Sequence, residues 1–450
     1  MPPATLDRRR FLGASLAPML APFAGTAARG QTGPAPAPSS AEVDVVVVGA
    51  GAAGIAAARA LLAAGRSFLV LEARDRVGGR AHTDTGVFGV PVDFGAHWIH
   101  AADETPFPFF ARAMGFVTAE PRQDVIIQDG RKRLSGDDID RFGDAYEALE
   151  QAIVGTGSAG RDIPAAAVMP KGLGEWEGLV SFLLGPYGCA KDLDRVSTVD
   201  FARAREFPEL FIREGFGALV ARLAEGIPVA FSTPVQRIDR SGPRLRVETP
   251  RGTVEARAAI VTASTTALAE GAVRFDPPLP AAHEDALTGL SLGSYLHVCL
   301  ELPGNPLRAG ADEPIWFRRP GRRTMALLAR MNGSDVAYAD AAGSFAAELE
   351  QAGGRAAVDF ALGLIAEAYG SDAVRRVGRT HVTDWGRDPF VRGAFSCAEP
   401  GRAGDRARLA EAVDGRIWIA GEATHAALWG TVGGAWAEGE RAARAAAAAM

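Results

Sequence analysis

The stretch from Val43 to Thr83 constrains this chain more than any other. Val43, Val45, Val46, Val47 and Val48, interrupted only by Asp44, form a β-branched run too short for a core helix and suited to a strand buried on both faces. Gly49, Gly51 and Gly54 follow in G-x-G-x-x-G spacing; Ile55 to Ala64 reads as a helix ended by Gly65, and a strand from Phe68 to Leu71 delivers Glu72. Each residue type has a physical task. Gly49 permits the tight turn, Gly51 lets a pyrophosphate approach the main chain, and Gly54 lets helix and strand pack closely. The helix N-terminus then faces phosphate, and Glu72 sits where an acid accepts hydrogen bonds from a ribose. The glycine spacing alone is a weak signal, but strand, glycines, helix, strand and acid in this order predict a dinucleotide site.

The next residues narrow the nucleotide. Arg76, Gly78, Gly79, Arg80 and Thr83 form R-x-G-G-R-x-x-T, which resembles the second fingerprint of flavoproteins in the glutathione-reductase and amine-oxidase lineages. A nicotinamide dehydrogenase does not need it, so the expected cofactor is FAD.

At 450 residues the chain suits two intertwined domains. Its net charge of −6, from 48 basic and 54 acidic residues without a long basic run, argues against a nucleic-acid partner. Cys189, Cys299 and Cys397 are too few and too scattered for a disulfide framework or a metal site, and no metal is expected. At the N-terminus, Arg8, Arg9, Arg10, Phe11 and Leu12 match the R-R-x-F-L core of a twin-arginine signal. A short apolar run broken by Pro18 and Pro22 follows, too short for a membrane span. Small residues from Gly25 to Ala28 offer a cleavage site. The expectation is export by the twin-arginine machinery to the periplasm, with no stable membrane anchor.

Four further blocks carry a wider resemblance. Gly95, Ala96, His97, Trp98, Ile99 and His100 spell G-A-H-W-I-H; Glu214, Gly215, Phe216 and Gly217 open a glycine turn and helix. Trp385, Asp388, Pro389, Gly393, Ala394, Phe395 and Ser396 form W-x-x-D-P…G-x-F-S. Gly421, Glu422, Ala423 and Thr424 precede Gly430, Thr431, Val432, Gly433, Gly434, Ala435 and a terminal helix. Together these resemble the flavin-dependent amine oxidases, the family of monoamine and polyamine oxidases, over nearly all of the chain after the linker. The resemblance implies an α/β fold of mixed α+β character: a Rossmann-like FAD-binding domain of the glutathione-reductase type, with an interleaved substrate domain of mixed sheet and helices. The expected boundaries are a signal at 1–28, a linker at 29–42, an FAD-binding domain at 43–104, 212–284 and 396–450, and a substrate domain at 105–211 and 285–395.

The same resemblance implies the site. Gly49, Gly51, Ala53, Gly54, Glu72, Ala73, Arg74, Gly79, Arg80, Gly95, Ala96, His97, Trp98, Val235, Trp385, Gly421, Glu422, Thr431 and Val432 are expected to hold FAD. Glu422 is expected at the ribityl or phosphate region, and Val235 at the adenine end. His100 is expected to face the substrate, Trp385 to border the flavin ring, and Phe395 to form one wall of the substrate channel. In most of the family a lysine holds a water against flavin N5; here that position is His297, which can position the same water or take a proton from a substrate ammonium. Thr431 stands where many relatives carry the second wall, a tyrosine; either Trp429 substitutes for it or the site is wider on that side. The strand Tyr295 to Glu301 is expected to turn Leu296, Val298 and Leu300 to the core, and Tyr295, His297, Cys299 and Glu301 to a cavity.

The implied chemistry is oxidation of a C–H beside nitrogen in a small-molecule amine: hydride transfer to flavin N5, hydrolysis of the imine, and return of the electrons to dioxygen as hydrogen peroxide. Ala427 and Leu428 stand where monoamine oxidases carry a flavinylated cysteine, so non-covalent FAD is expected. Two alternatives remain: an L-amino-acid oxidase or tryptophan 2-monooxygenase-like enzyme, in which Arg318, Arg319 or Arg392 would hold the carboxylate, and a flavin-binding protein without turnover. The particular amine and the oligomeric state are not fixed by the sequence.

Overall fold

The computed structural model describes residues 41–450; the expected signal segment and all but the last two residues of the linker lie outside them. The glycine-rich unit forms as its residue types dictate. Strand β1 (Ala41–Val48), helix α1 (Ala52–Ala63) and strand β2 (Phe68–Leu71) follow one another, and β1 lies between β2 and β3 (Gly252–Val261), parallel to both. Val45 and Val47 pack on the α1 side, and Val46 and Val48 on the opposite side, so the strand is buried on both faces. Beyond β3 the sheet turns antiparallel through 245–249 and 237–239, while 417–419 runs parallel to its C-terminal half. A Cβ on Gly54 would lie 1.9 Å from the Gly49 carbonyl oxygen, so only glycine permits this contact.

A second sheet carries strands in the order 380–382, β4 (Tyr295–Glu301), β5 (Val336–Ala342), 326–329, 313–317, 126–129 and 132–133. On one face Leu296, Val298, Leu300, Ala337, Ala339 and Ala341 pack against the helices Gly343–Ala352 and Gly354–Tyr369. The opposite face turns Tyr295, His297, Tyr338 and Asp340 toward a cavity. The alternation expected for β4 holds at these positions but fails at its far end. Cys299 is buried against Phe88 and Tyr338, and Glu301 pairs with Arg379.

Helix α2 (Phe107–Met114), at the start of the segment expected as substrate domain, packs its Phe107 and Ala111 against Ile55, Phe216 and Trp436, because its apolar stripe matches that surface. Helix α3 (Asp137–Ser158) opens with Asp137, Asp138 and Asp140 in its first turn. Over 174–187 the chain forms a 3-10 turn, a short α-helix at Glu177–Phe182 and a π-turn at Leu183–Tyr187, which contains Pro186, a residue with no N–H to continue an α-helical ladder. The last helix, α4 (Val432–Ala448), lies against α1 closely enough that a Cβ on Gly439 would come 2.0 Å from the Ala53 carbonyl oxygen. All three cysteines are buried; the Cys189 thiol donates to the Leu184 carbonyl at 3.4 Å, and the neighbouring Cys397 thiol together with burial pushes its pKa well up.

Candidate active site

One continuous cavity of about 3130 Å³ runs from the ends of β1 and β2 to the second sheet. At the nucleotide end its wall is mostly main chain: Gly49, Gly51, Ala53, Gly79 and Gly421 line it. Gly51 and Gly78 form a β-bridge, and a Cβ on Gly79 would sit 3.3 Å from the Gly51 Cα. A Cβ on Gly421 would meet nothing within 4 Å, so the bare backbone there faces open space. The N-termini of α1 and α4 both reach the cavity, at Ala52–Ala53 and Val432, and place main-chain N–H groups and partial positive charge along it. Thr431 caps α4, its Oγ1 accepting from the Gly434 N–H at 2.9 Å.

The two acids expected to bind cofactor differ. Glu72 accepts from the main-chain N–H groups of Ala50 (2.7 Å) and Arg74 (2.8 Å), one to each oxygen, and keeps a further acceptor site on each. Burial raises its pKa despite those bonds. Glu422 keeps none. Its oxygens accept from the Arg80 guanidinium (2.7 Å), the Ser396 N–H (3.2 Å) and hydroxyl (2.6 Å), and the Gly430 N–H (2.9 Å). Burial works against its charge, but Arg80, Ser396 and Arg406 outweigh burial and lower its pKa. Glu422 borders the cavity, where it also acts as a bracket joining three loops.

Ala73, Arg74, Arg80, Ala96, Val235 and Trp385 line the cavity as expected of cofactor neighbours. Gly54 does not; its part is the packing contact under Gly49. Trp385 is fixed by its indole N–H donating to the Phe94 carbonyl at 2.8 Å. Gly95 threads between, where a Cβ would lie 1.8 Å from the Arg80 carbonyl oxygen. His97 and Trp98 border the cavity, but the buried His97 ring bonds Asp93 through Nδ1 (2.9 Å) and packs on Phe211, so its side chain braces the wall. An extended groove of main-chain donors, glycine approaches and one acid with free acceptor sites fits the phosphates and ribose of FAD.

At the other end side chains do the building. His297 and Asp340 are direct cross-strand partners on β4 and β5. Their Nδ1 and Oδ1 atoms lie 2.5 Å apart, and the His297 Nε2 is 3.2 Å from the Gly95 carbonyl oxygen. The Tyr295 hydroxyl donates to Asp340 Oδ2 at 3.0 Å, and Tyr187, on the π-turn, lies beside Tyr295 with ring centroids 6.1 Å apart. His297 therefore reaches the chamber as expected, but with both ring nitrogens engaged, which conflicts with a free base or a water holder. Phe395 lines the chamber, its ring centroid 6.0 Å from that of Tyr295. The aromatic facing Phe395 is thus Tyr295 and not Trp429, which borders the cavity but is committed to the Asp200 carbonyl (3.2 Å) and the Arg406 guanidinium.

The mouth is acidic. Helix α3 turns Asp140, Asp144 and Glu147, at helical spacing, toward the cavity, where Glu206 and Glu209 join them. His100 lies there with Nδ1 2.8 Å from Glu209; burial works to lower its pKa, but Glu209 and Glu206 prevail and raise it. Arg318, Arg319 and Arg392, named above as carboxylate holders, do not line the cavity. They pair with Asp129 and Glu175, with Glu367 (2.5 Å) and with Glu270 (3.3 Å) respectively. Asp340, Tyr187, Glu206 and Glu209 escaped the sequence reading. The alternation Ala337-Tyr338-Ala339-Asp340-Ala341, polar on one face only, was the available signal for Asp340.

Comparison with known proteins agrees with this geometry. The family described as flavin containing amine oxidoreductase matches residues 52–155 and 167–447. Lysine-specific histone demethylase 2 of Homo sapiens is 29% identical over 428 residues, covering 86% of this chain and 51% of that protein. Polyamine oxidase 4 of Oryza sativa subsp. japonica is 26% identical over 428 residues, covering 86% of this chain and 85% of that one. The chain thus spans about half the length of the demethylase it matches. Among solved structures, cyclohexylamine oxidase from Brevibacterium oxydans IH-35A superposes with a TM-score of 0.76 at 22% identity, over 90% of this chain and 99% of that one. Wild-type putrescine oxidase bound to putrescine gives 0.75 at 22% identity, with the same coverage; at this identity both show the fold. With the family matched across most of its length and the same fold in the oxidases, the chain belongs to the flavin containing amine oxidoreductases.

Proposed function

We propose that the protein is an FAD-dependent amine oxidase whose preferred substrates carry a second positive charge. The observation that carries the reading is the single cavity, glycine-lined where it would hold FAD and aromatic where it would hold the amine. FAD bound there supplies a hydride acceptor for the carbon beside the amine nitrogen. The chain's own residues do the rest. Phe395, Tyr295 and Trp98 give walls that favour a neutral amine over an ammonium ion, since burying an unpaired charge is costly. Asp140, Asp144, Glu147, Glu206 and Glu209 at the mouth attract a cation and hold the distal charge of a longer substrate.

The test begins with colour. Purified protein is expected to be yellow and to bleach anaerobically with a suitable amine, releasing peroxide in air; colourless, flavin-free protein would end the proposal. Acid precipitation should free the flavin into the supernatant, as non-covalent attachment requires. A panel of monoamines, diamines, polyamines and amino acids should rank the dicationic amines first. Glu209→Gln should raise KM for a diamine about fivefold while leaving a monoamine little changed. An amino-acid preference would revive the alternative reading. Export to the periplasm belongs to the same proposal and rests on Arg8 to Leu12 alone. Replacing Arg8 and Arg9 by Lys should leave the protein in the cytosol.

A further inference from the structure

The cross-strand pair on the chamber floor holds more order than a wall needs. Asp340 is almost fully buried, and it accepts from Tyr295 on one oxygen while lying 2.5 Å from His297 Nδ1 on the other. The far nitrogen of the same ring, Nε2, faces the Gly95 carbonyl oxygen at 3.2 Å. A carbonyl oxygen only accepts, so Nε2 carries a proton. A second proton lies between Nδ1 and the carboxylate, since two lone pairs at that separation would repel. The pair therefore holds one proton more than a neutral imidazole and a carboxylate would, and the ring turns no lone pair to the chamber.

We infer that His297 and Asp340 form a pre-protonated, charge-balanced pair, in which Asp340 is a positioning residue that fixes an imidazolium against the Gly95 carbonyl, and that the pair is not the base that deprotonates the substrate. The inference rests on the flavin and amine reading of the cavity. The pair is neutral overall, but its positive end lies toward the Gly95 loop and the chamber, where it disfavours a neighbouring ammonium. The amine's proton then leaves by way of solvent and the acidic mouth, and the deep chamber receives the neutral form.

The groups facing His297 come from several elements: Asp340 and Tyr338 from β5, Tyr295 from its own strand, and Asp93, itself bonded to His97, from the short strand 92–93. Thr383 accepts the His297 main-chain N–H at 2.9 Å. Burial works to lower the ring's pKa, but Asp340, the Gly95 carbonyl and Asp93 outweigh it and raise the value. This agrees with the geometry.

The test is nitrogen NMR of the holoenzyme with labelled histidine, with the His297 signals assigned by their loss in His297→Gln. At pH 8 both His297 nitrogens are expected to be protonated. In Asp340→Asn the His297 titration should move down by about 1–3 pH units. The rate of anaerobic flavin bleaching should then show a His297 limb on its pH profile that the wild type lacks. Tyr295→Phe, which keeps the pair and removes one bond to Asp340, should leave His297 protonated; it serves as the folded variant should Asp340→Asn fail to fold. A neutral His297 at pH 8 in the wild type, or a wild-type pH limb that disappears in His297→Gln, would overturn the inference. Flavin absorbance of the same sample reports separately on the cofactor reading: colourless protein refutes that reading, whatever the histidine signals show.

Discussion

The two ends of the cavity are built on different principles. The nucleotide end is a main-chain surface whose specificity lies in where side chains are missing: Gly51, Gly79 and Gly421 leave the backbone bare, and Gly54 and Gly95 occupy sites where any Cβ would collide with a carbonyl. The chamber end is a side-chain surface. Tyr187, Tyr295, His297, Asp340 and Phe395 come from four separate segments and meet only because two sheet strands and a π-turn bring them together. A main-chain site is compact in sequence and intolerant of added atoms. A side-chain site is dispersed, and it is sensitive to charge and protonation.

That contrast can be broken in several ways, and the largest effects belong at the nucleotide end. Gly54→Ala would place a Cβ 1.9 Å from a carbonyl oxygen and should cost about 3 kcal/mol or more, measured as a fall in the unfolding midpoint with loss of bound flavin. Glu422→Ala comes next. It leaves the Arg80 guanidinium without its carboxylate and should cost about 3 kcal/mol by denaturant titration. Glu72→Gln sharpens the distinction: it should weaken flavin retention about tenfold while lowering stability far less, because Glu72 keeps acceptor sites free where Glu422 has none. A Glu72 variant as unstable as the Glu422 one would erase the difference drawn between the two acids.

Smaller effects are expected in the chamber. Phe395→Ala should lower kcat/KM about tenfold with the flavin spectrum unchanged, since it removes a wall and leaves the groove alone. The smallest effect is a pH dependence of stability. His297 has a folded-state pKa raised above its unfolded value near 6.5, so its contribution is fully present below that value and is lost as pH rises through the folded pKa. The difference in unfolding midpoint between wild type and His297→Gln should therefore shrink toward alkaline pH. Stability terms from the glycine contacts at the nucleotide end should show no such trend.

The same contrast explains what could be read from the sequence. The β1–α1–β2 unit was legible because every contact in it is local or depends on an absent side chain, and the glycines mark those positions directly. The cofactor blocks at Gly95, Trp385 and Gly421 were legible by resemblance, and their members line one cavity. Asp340 was not legible: one acid in an alanine-rich strand gains meaning only from the residue opposite, and its partner His297 lies 43 positions earlier in the chain. The bracing part of Glu422 was not legible either, because its bonds to Arg80, Ser396 and Gly430 depend on how three loops fold together. The packing partners of helix α2 were not legible, because its apolar stripe shows that it packs, and not against what.

The contact between α1 and α4, where Gly439 rests on the Ala53 carbonyl, also sets an order of events during synthesis. The helix carrying the first glycine turn is made well before the surface that covers it, and β3, the neighbour of β1, follows only after the whole 105–211 segment. The groove cannot close around its nucleotide until α4 has docked on α1. A chain cut before α4 should accordingly fail to retain the flavin.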